Sequence, residues 1–192
     1  MAHVDDQRVA RVLDTLEAQH PGAQLLVNDP WSIYYLTGFY ADMFERFCGV
    51  LLARDCEPVI LVNALHQLTE YDNARVAYHT DTDVVADAIA REVNPTKPLG
   101  IDTVMRSGFF MPLMERHAAS EFFLGDFAVT AARTHKDATE QELMRVSSTA
   151  NDAVMADAIK LVHEGVTERE IADQMLGLYR KHGCEGFSFP PI

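Results

Sequence analysis

The spacing of apolar residues divides the chain into helical and extended segments. Residues 3–19 carry apolar side chains at mainly helical spacing and end before Pro21-Gly22, which predicts an amphipathic helix. Short runs that are β-branched or aromatic and bounded by turn residues predict strands at 24–28, 32–36, 49–54 and 58–62. Helices are then expected near 64–73, 82–92 and 108–119, extended segments at 76–79 and 99–102, and edge segments at 122–124 and 127–129.

This alternation of strands and helices indicates an α/β fold. We expect a mixed sheet covered by helices, formed by a first domain of residues 1–131. The pattern changes between Ala131 and Lys136, so a second segment is assigned to residues 132–192.

Two amphipathic helices are predicted in the second segment. Thr139 with Glu142 and Thr167 with Glu170 each have the spacing of a capping box, and the helices are expected to stop at Gly165 and Gly183. Asp126, Asp137 and Glu140 are interpreted as surface charges. The two helices could dock on the first domain or open a second α/β or α+β domain, and residues 188–192 look like the entry to a strand.

Composition excludes some classes of function. The net charge of −13 disfavours nucleic-acid binding, since no basic patch is available to displace counterions from phosphates. No apolar run approaches the ~20 residues of a membrane span, and the first residues lack the order of a signal peptide, so we expect a cytoplasmic protein. Cys48, Cys56 and Cys184 match no metal or redox spacing and are interpreted as buried small hydrophobes.

Motifs for catalysis are missing from the residues alone. His163-Glu164 begins a zinc-helix motif, but Thr167 occupies the position of its second histidine. Asp81 and Asp83 lack the later ligands of a calcium loop and indicate a turn or a helix cap. No nucleophile elbow, dinucleotide loop or phosphate loop occurs. We therefore predict no catalytic and no metal-binding residue in this chain.

Four stretches resemble one enzyme family. Residues 28–39, NDPWSIYYLTGF, resemble the N-x-x-x-I-x-Y-L-T-G-F strand of the creatinase/prolidase N-terminal domain. The other three resemble its R-x-x-K-x-x-x-E junction (133–145), its G-x-T-E-x-E-I-A helix start (164–172) and its G-x-x-G-x-S-F-x-x-I strand entry (183–192). Because the four occur in order over nearly the whole chain, it is identified as similar to the Xaa-Pro aminopeptidases and prolidases, whose catalytic domain has the pita-bread fold.

The resemblance implies a metallopeptidase that acts on proline-containing di- or oligopeptides. Its two divalent ions (Mn, Co or Zn) are held by two Asp, a His and two Glu that follow the strand beginning around Ser188, so none of the five maps onto this chain. A water activated by both ions attacks the bond before proline. The chain is thus expected to be an N-terminal domain plus the first two helices of an incomplete pita-bread α+β domain, inactive by itself and without a cofactor.

The resemblance also suggests where the chain makes contacts. The N-terminal domain of the family commonly takes part in dimer contacts and helps to close the active-site mouth, so we expect a homodimer. Core packing explains most of the aromatic residues between Trp31 and Phe47, whereas the loop from Phe39 to Phe47, with Trp31 behind it, is the candidate for these contacts. Six residues are candidates for substrate binding or an interface: Trp31, Tyr40, Phe44, Arg46, Phe187 and Phe189. For Phe187 and Phe189, the alternative is that they are plain core residues beside Ser188.

Two other functions stay open. A creatinase-like enzyme of the same fold hydrolyses a non-peptide carbon–nitrogen bond without metal, and the presence or absence of the metal ligands distinguishes it. A non-catalytic dimerisation or binding module is the third possibility, which a natural stop after Ile192 would favour.

Overall fold

The computed structural model describes residues 2–40 and 45–191. The strands are β1 (Gln24–Val27), β2 (Cys48–Leu52), β3 (Val59–Asn63), β4 (Arg75–His79), β5 (Leu99–Ile101) and β6 (Phe122–Leu124). The α-helices are α1 (Asp6–Gln19), α2 (Pro30–Thr37), α3 (Val85–Ala90), α4 (Ser107–Glu115), α5 (Asp126–Thr134), α6 (Ala138–Ala158) and α7 (Glu168–Lys181). The chain divides into two compact units between His135 and Lys136, and α5 runs across the position where the sequence places the domain boundary.

The first unit is built on one mixed sheet. Its six strands lie in the order β4-β3-β2-β1-β5-β6. The pairs β1–β5, β5–β6 and β3–β4 are parallel, whereas β2 is antiparallel to both β1 and β3. Every strand except β2 therefore ends at the same edge of the sheet, which we call the carboxyl edge. The predicted mixed sheet flanked by helices is confirmed.

Helices cover both faces of this sheet. Because successive residues of a strand point to opposite faces, Leu25 and Val27 pack on one side and Leu26 on the other. The first side is closed by apolar residues of α1, α2 and α5, and the second by those of α3 and α4. Strands β1, β2 and β3 are buried on both faces, which explains why they are largely apolar without alternation.

The segment 32–36 is helical, and its prediction as a strand is wrong. Asp29 caps α2 by accepting hydrogen bonds from the Ser32 amide (2.8 Å) and hydroxyl (2.7 Å), and Pro30 occupies the first turn. Gly38 ends the helix in the left-handed region at φ 69°, donating its amide to the Tyr34 carbonyl at 2.8 Å. These stop and start signals outweigh the preference of aromatic and β-branched residues for strands.

Two other segments also differ from prediction. The expected helix at 64–73 is a single 3₁₀ turn, Ala64–His66, because this part of the chain pairs with the N-terminus instead: the Ala2 amide donates to the Glu70 carbonyl at 3.1 Å. Residues 127–129 lie in α5 and do not form an edge segment, whereas 122–124 is the predicted edge strand, β6. Both errors concern short segments whose state is set by their neighbours in space.

The second unit contains the two predicted helices. Thr167 and Glu170 form the predicted capping box of α7. The box of α6 is formed by Asp137 and Glu140, however, so the prediction of Thr139 as cap and of these two residues as surface charges is wrong. Residues 188–191, within the described range, form no strand. Among the residues of this unit that the structure describes, the buried hydrophobic ones are Val154, Ala158 and Met175.

Cys48 and Cys56 differ in their exposure to solvent. Cys48 is buried as predicted, and burial raises the pKa of its thiol to about 12, but Cys56 is exposed, contrary to prediction.

Among the helices that the structure describes, none combines the length and apolar character needed to cross a membrane.

Candidate functional site

Buried polar side chains gather at the carboxyl edge of the sheet. Asn28 and Asp102 follow β1 and β5, while Asn63 and His79 are the last residues of β3 and β4, and all four are buried. Ligands of open α/β sheets bind beyond the carboxyl ends of strands, where strand order changes direction. Such a change occurs between β1 and β5, since the chain first builds β2, β3 and β4 on one side of β1 and then β5 and β6 on the other.

Asp102 occupies this point between β1 and β5. Its Oδ2 atom accepts the backbone amides of Asn28 and Asp29, the latter at 2.6 Å, and the residue is only 3% exposed. Burial raises the pKa of Asp102 to about 6, although the two amides partly counter that rise. The Asn28 side chain donates to the Cys48 carbonyl at 2.6 Å, which ties the end of β1 to the start of β2.

Asp29 links the sheet edge to two helices. It is the N-cap of α2, and its Oδ2 atom also lies 3.5 Å from the Arg133 guanidinium on α5. The same guanidinium donates to the Ser32 hydroxyl at 3.2 Å. The first turn of α2 is therefore held from the sheet by Asp102 and from α5 by Arg133.

Exposed aromatic rings stand on and beside α2. Trp31, Tyr34 and Tyr40 are 57%, 49% and 44% exposed, and we call these three residues the aromatic surface. The Trp31 and Tyr40 ring centroids lie 4.7 Å apart, and Tyr34 meets each of them edge-on at 6.5 Å. Exposed rings that contact one another in this way are typical of binding surfaces.

Arg46 belongs to a polar cluster farther along the carboxyl edge. Its guanidinium binds both carboxylate oxygens of Asp81 at 2.7 and 2.8 Å, and the Asn63 side chain donates to Asp81 at 2.9 Å. The hydrogen bond with Arg46 lowers the pKa of Asp81. His79 lies in the same cluster, with Nε2 2.9 Å from the Phe47 carbonyl. A cavity of about 210 Å³ opens among these side chains.

Phe187 and Phe189 line a groove in the second unit. The groove measures about 1030 Å³ and runs beside α6 and α7, with Met144, Met155, Met175 and Tyr179 among its other lining residues. The Phe187 ring meets Tyr179 edge-on at 5.8 Å, and Phe189 is 67% exposed. Phe189 is thus an exposed ring, whereas Phe187 is partly covered.

The candidates predicted from sequence fall into separate places. Trp31 and Tyr40 are in contact, Arg46 is paired with Asp81, and Phe187 and Phe189 share the groove of the second unit. Phe44 lies outside the described residues. Within the described ranges, no group of three or more His, Cys, Asp or Glu side chains is arranged to hold a metal ion. The residues present therefore do not fit a metal pair.

Sequence reasoning did not identify Tyr34, Asp102 or Arg133. The sequence pattern predicts a strand at Tyr34 and places Asp102 at the end of an extended segment. A signal for the site was available in the sequence: a polar residue closes β3, and a polar residue directly follows each of β1 and β5. Strands that share a direction place such residues at one edge of the sheet. Arg133 begins the R-x-x-K-x-x-x-E junction motif, but this motif does not reveal its partners, which lie about a hundred positions away.

Comparisons with known protein families match the two units in order. The model of the creatinase/prolidase N-terminal domain matches residues 8–135, and that of metallopeptidase family M24 matches residues 142–192. A Xaa-Pro dipeptidase of Pyrococcus horikoshii is 25% identical over 97% of this chain and 51% of the relative. A Xaa-Pro dipeptidase of Lactobacillus helveticus is 24% identical over 78% of this chain and 43% of the relative. The chain spans about half the length of the curated relatives it matches.

Solved structures show the same fold. A dipeptidase from Pyrococcus horikoshii superposes with a TM-score of 0.84 at 20% identity, over 96% of this chain and 52% of the other. A recombinant prolidase from Thermococcus sibiricus also has a TM-score of 0.84, at 21% identity over 97% and 52% of the two chains. These likenesses confirm the predicted fold class.

Proposed function

The chain belongs to the creatinase/prolidase family, and on that premise we propose that it is the N-terminal part of a metal-dependent Xaa-Pro peptidase of the dipeptidase type. One observation carries the proposal: the two family models match consecutive parts of the chain, first the N-terminal domain and then the metallopeptidase. The names of the curated relatives support a dipeptide ending in proline as the substrate. An aminopeptidase P type and a cytoplasmic location remain predictions.

We assign binding of the two metal ions to a part of the enzyme outside residues 1–192. The family resemblance implies that the ligands follow the segment near Ser188 that matches the family's strand entry, and the described residues do not fit a metal pair. No catalytic step is therefore assigned to side chains of this chain. The 192-residue polypeptide is expected to be inactive by itself.

The first experiment tests that expectation directly. Purified residues 1–192 are incubated with a Xaa-Pro dipeptide and Mn²⁺, Co²⁺ or Zn²⁺, and free proline is measured. We expect no release above the rate in buffer, whereas the Pyrococcus horikoshii Xaa-Pro dipeptidase serves as the positive control. Proline release by the purified chain would contradict the proposal.

The coding sequence downstream of Ile192 separates the three candidate functions. Two Asp, a His and two Glu in that order would identify a two-metal peptidase. A continuation without these ligands would favour creatinase-like chemistry without metal. An immediate natural stop would favour a non-catalytic module.

We assign the aromatic surface to the contact between two copies of the enzyme. Its rings are exposed, and the rigid first turn of α2 presents Trp31 from a well-anchored helix. Aromatic side chains supply a large contact area at low cost in conformational entropy. Arg46 stands at the same edge of the sheet, and Phe187 and Phe189 are assigned to the substrate pocket of the catalytic domain.

The assignment predicts that the double variant Trp31→Ala, Tyr40→Ala dimerises at least about tenfold more weakly, since interface hot spots cost about 2 kcal/mol or more when truncated. Sedimentation equilibrium of residues 1–192 measures the dissociation constant. Tyr78→Ala is the matched control, because Tyr78 is similarly exposed but lies on β4 at the sheet's outer edge. Equal weakening by both variants, or none by either, would refute the assignment.

A further inference from the structure

Asp102 is a buried carboxylate in direct contact with the segment that leads into α2. One oxygen, Oδ2, accepts two consecutive backbone amides, those of Asn28 and Asp29. Hydrogen bonds from backbone amides to an ionised carboxylate are stronger than those between neutral groups. Asp102 therefore fixes the direction in which the chain leaves β1.

The charged groups around Asp102 come from two elements, α2 and α5. Asp29 approaches from the start of α2, and Asp126 approaches from the first turn of α5, where it accepts from the Thr103 hydroxyl at 2.8 Å. Arg133 of α5 reaches Asp29. The two neighbouring carboxylates disfavour the ionised form of Asp102, whereas the two amides favour it.

The geometry points to Asp102 as a positioning residue that holds the first turn of α2 and, through it, the ring of Trp31 in the aromatic surface. Asn28 and Asp29 precede Pro30, whose fixed φ transmits the direction of the chain into the helix. Trp31 follows at once, so the path from Asp102 to the indole ring covers only a few residues. The path does not pass through the loop after Tyr40.

The hold depends on the charge of Asp102. Protonation removes the charge that strengthens both amide hydrogen bonds, and burial places the pKa of this carboxyl at about 6. The first turn of α2 is therefore held firmly at neutral pH and more loosely below that value. The significance for the enzyme rests on the interface role proposed above, whereas the positioning is measurable without a partner.

Trp31 is the sole tryptophan of the chain and so reports on this position alone. The experiment follows the fluorescence of residues 1–192 between about pH 5 and pH 7.5, at two protein concentrations, with far-UV circular dichroism as a check of folding. We expect a reversible change with a midpoint of about 6 that does not depend on concentration.

Three variants assign the change to Asp102. Asp102→Asn keeps the size and an acceptor oxygen but cannot titrate, so the transition should disappear. Asp102→Ala should give the acid-form spectrum already at neutral pH. Asp126→Asn removes a neighbouring negative charge, so it should move the midpoint to lower pH; if the Asp102 variants fail to fold, this shift decides.

The effect on the fluorescence of Trp31 should be specific to Asp102. Asp81→Asn alters the Arg46 cluster at the same sheet edge and should leave the midpoint unchanged. A transition that persists in folded Asp102→Asn, or that is absent from the unaltered chain, would overturn the inference. Unchanged dimerisation in the Trp31 and Tyr40 double variant would instead refute only the interface assignment.

Discussion

At the scale of single residues, the carboxyl edge combines buried polar groups with specific partners. Asp102 accepts two amides, Asn28 donates to Cys48, and the Asn63 side chain donates to Asp81. A buried polar group without a partner costs about 1–3 kcal/mol, and a buried charge costs more. The hydrogen bonds offset this cost in part, and the raised pKa of Asp102 is the sign that for this carboxylate the offset is incomplete.

The raised pKa predicts an unusual dependence of stability on pH. The pKa of Asp102 rises from 3.8 to about 6 on folding, so the folded state binds more protons than the unfolded state between these values. The stabilising contribution of this group is present below the unfolded pKa and is lost as pH rises through the folded pKa. Relative to Asp102→Asn, the unaltered chain should lose up to roughly 3 kcal/mol between about pH 4 and pH 7.

Urea unfolding of both proteins at the two pH values measures this difference. Asp81→Asn is the control of opposite sign, because pairing with Arg46 lowers the pKa of Asp81 and its contribution is lost as pH falls. A stability difference between Asp102→Asn and the unaltered chain that stayed constant with pH would contradict the expected linkage.

At the scale of elements, the residues at helix ends explain why some predictions of secondary structure from local sequence are correct and others are wrong. Residues 32–36 have the composition of a strand, yet Asp29, Pro30 and Gly38 define a helix of 8 residues. The three end residues were visible in the sequence, but their meaning depends on which segment they bound. Capping is worth about 1 kcal/mol, which is enough to decide the state of a helix this short.

The start of α6 supplies a test at the same scale. Asp137→Ala should lower the free energy of unfolding by about 1 kcal/mol, because the Glu140 amide loses its acceptor at 2.8 Å. Thr139→Ala should change it by less than about 0.5 kcal/mol, since Thr139 lies inside the first turn and alanine has the higher helix propensity. Urea unfolding followed by circular dichroism compares the two, and a larger loss for Thr139→Ala would place the cap where the sequence alone suggested.

At the scale of the whole molecule, the two units differ in how much core they contain. The sheet of the first unit separates two clusters of buried side chains, one on each face. In the second unit the buried hydrophobic residues among those described are Val154, Ala158 and Met175. The side chain of Asp157 in the same unit binds Lys160, Lys181 and His182. Exposed ion pairs contribute little to stability, so hydrophobic burial favours the first unit as the more stable of the two.

The family of the chain could be predicted from its sequence, but the candidate site could be predicted only in part. Four motifs in order were enough to place the chain in its family, and the family models match the same two regions. The candidate site was only partly accessible. Trp31 and Tyr40 stood out by aromatic density, but their contact with each other and their anchoring through Asp102 required the fold.

The sequence by itself determined the elements whose signals are local. Amphipathic α1, the capping box of α7 and the buried strands β1 to β3 follow from spacing and propensity within a few residues. Only the tertiary structure decided that residues 64–73 pair with the N-terminus and do not form the expected helix. It also decided that Asp102 accepts hydrogen bonds from backbone amides more than seventy positions earlier. The physical reason is that these choices depend on hydrogen bonds between distant residues, which no local pattern encodes.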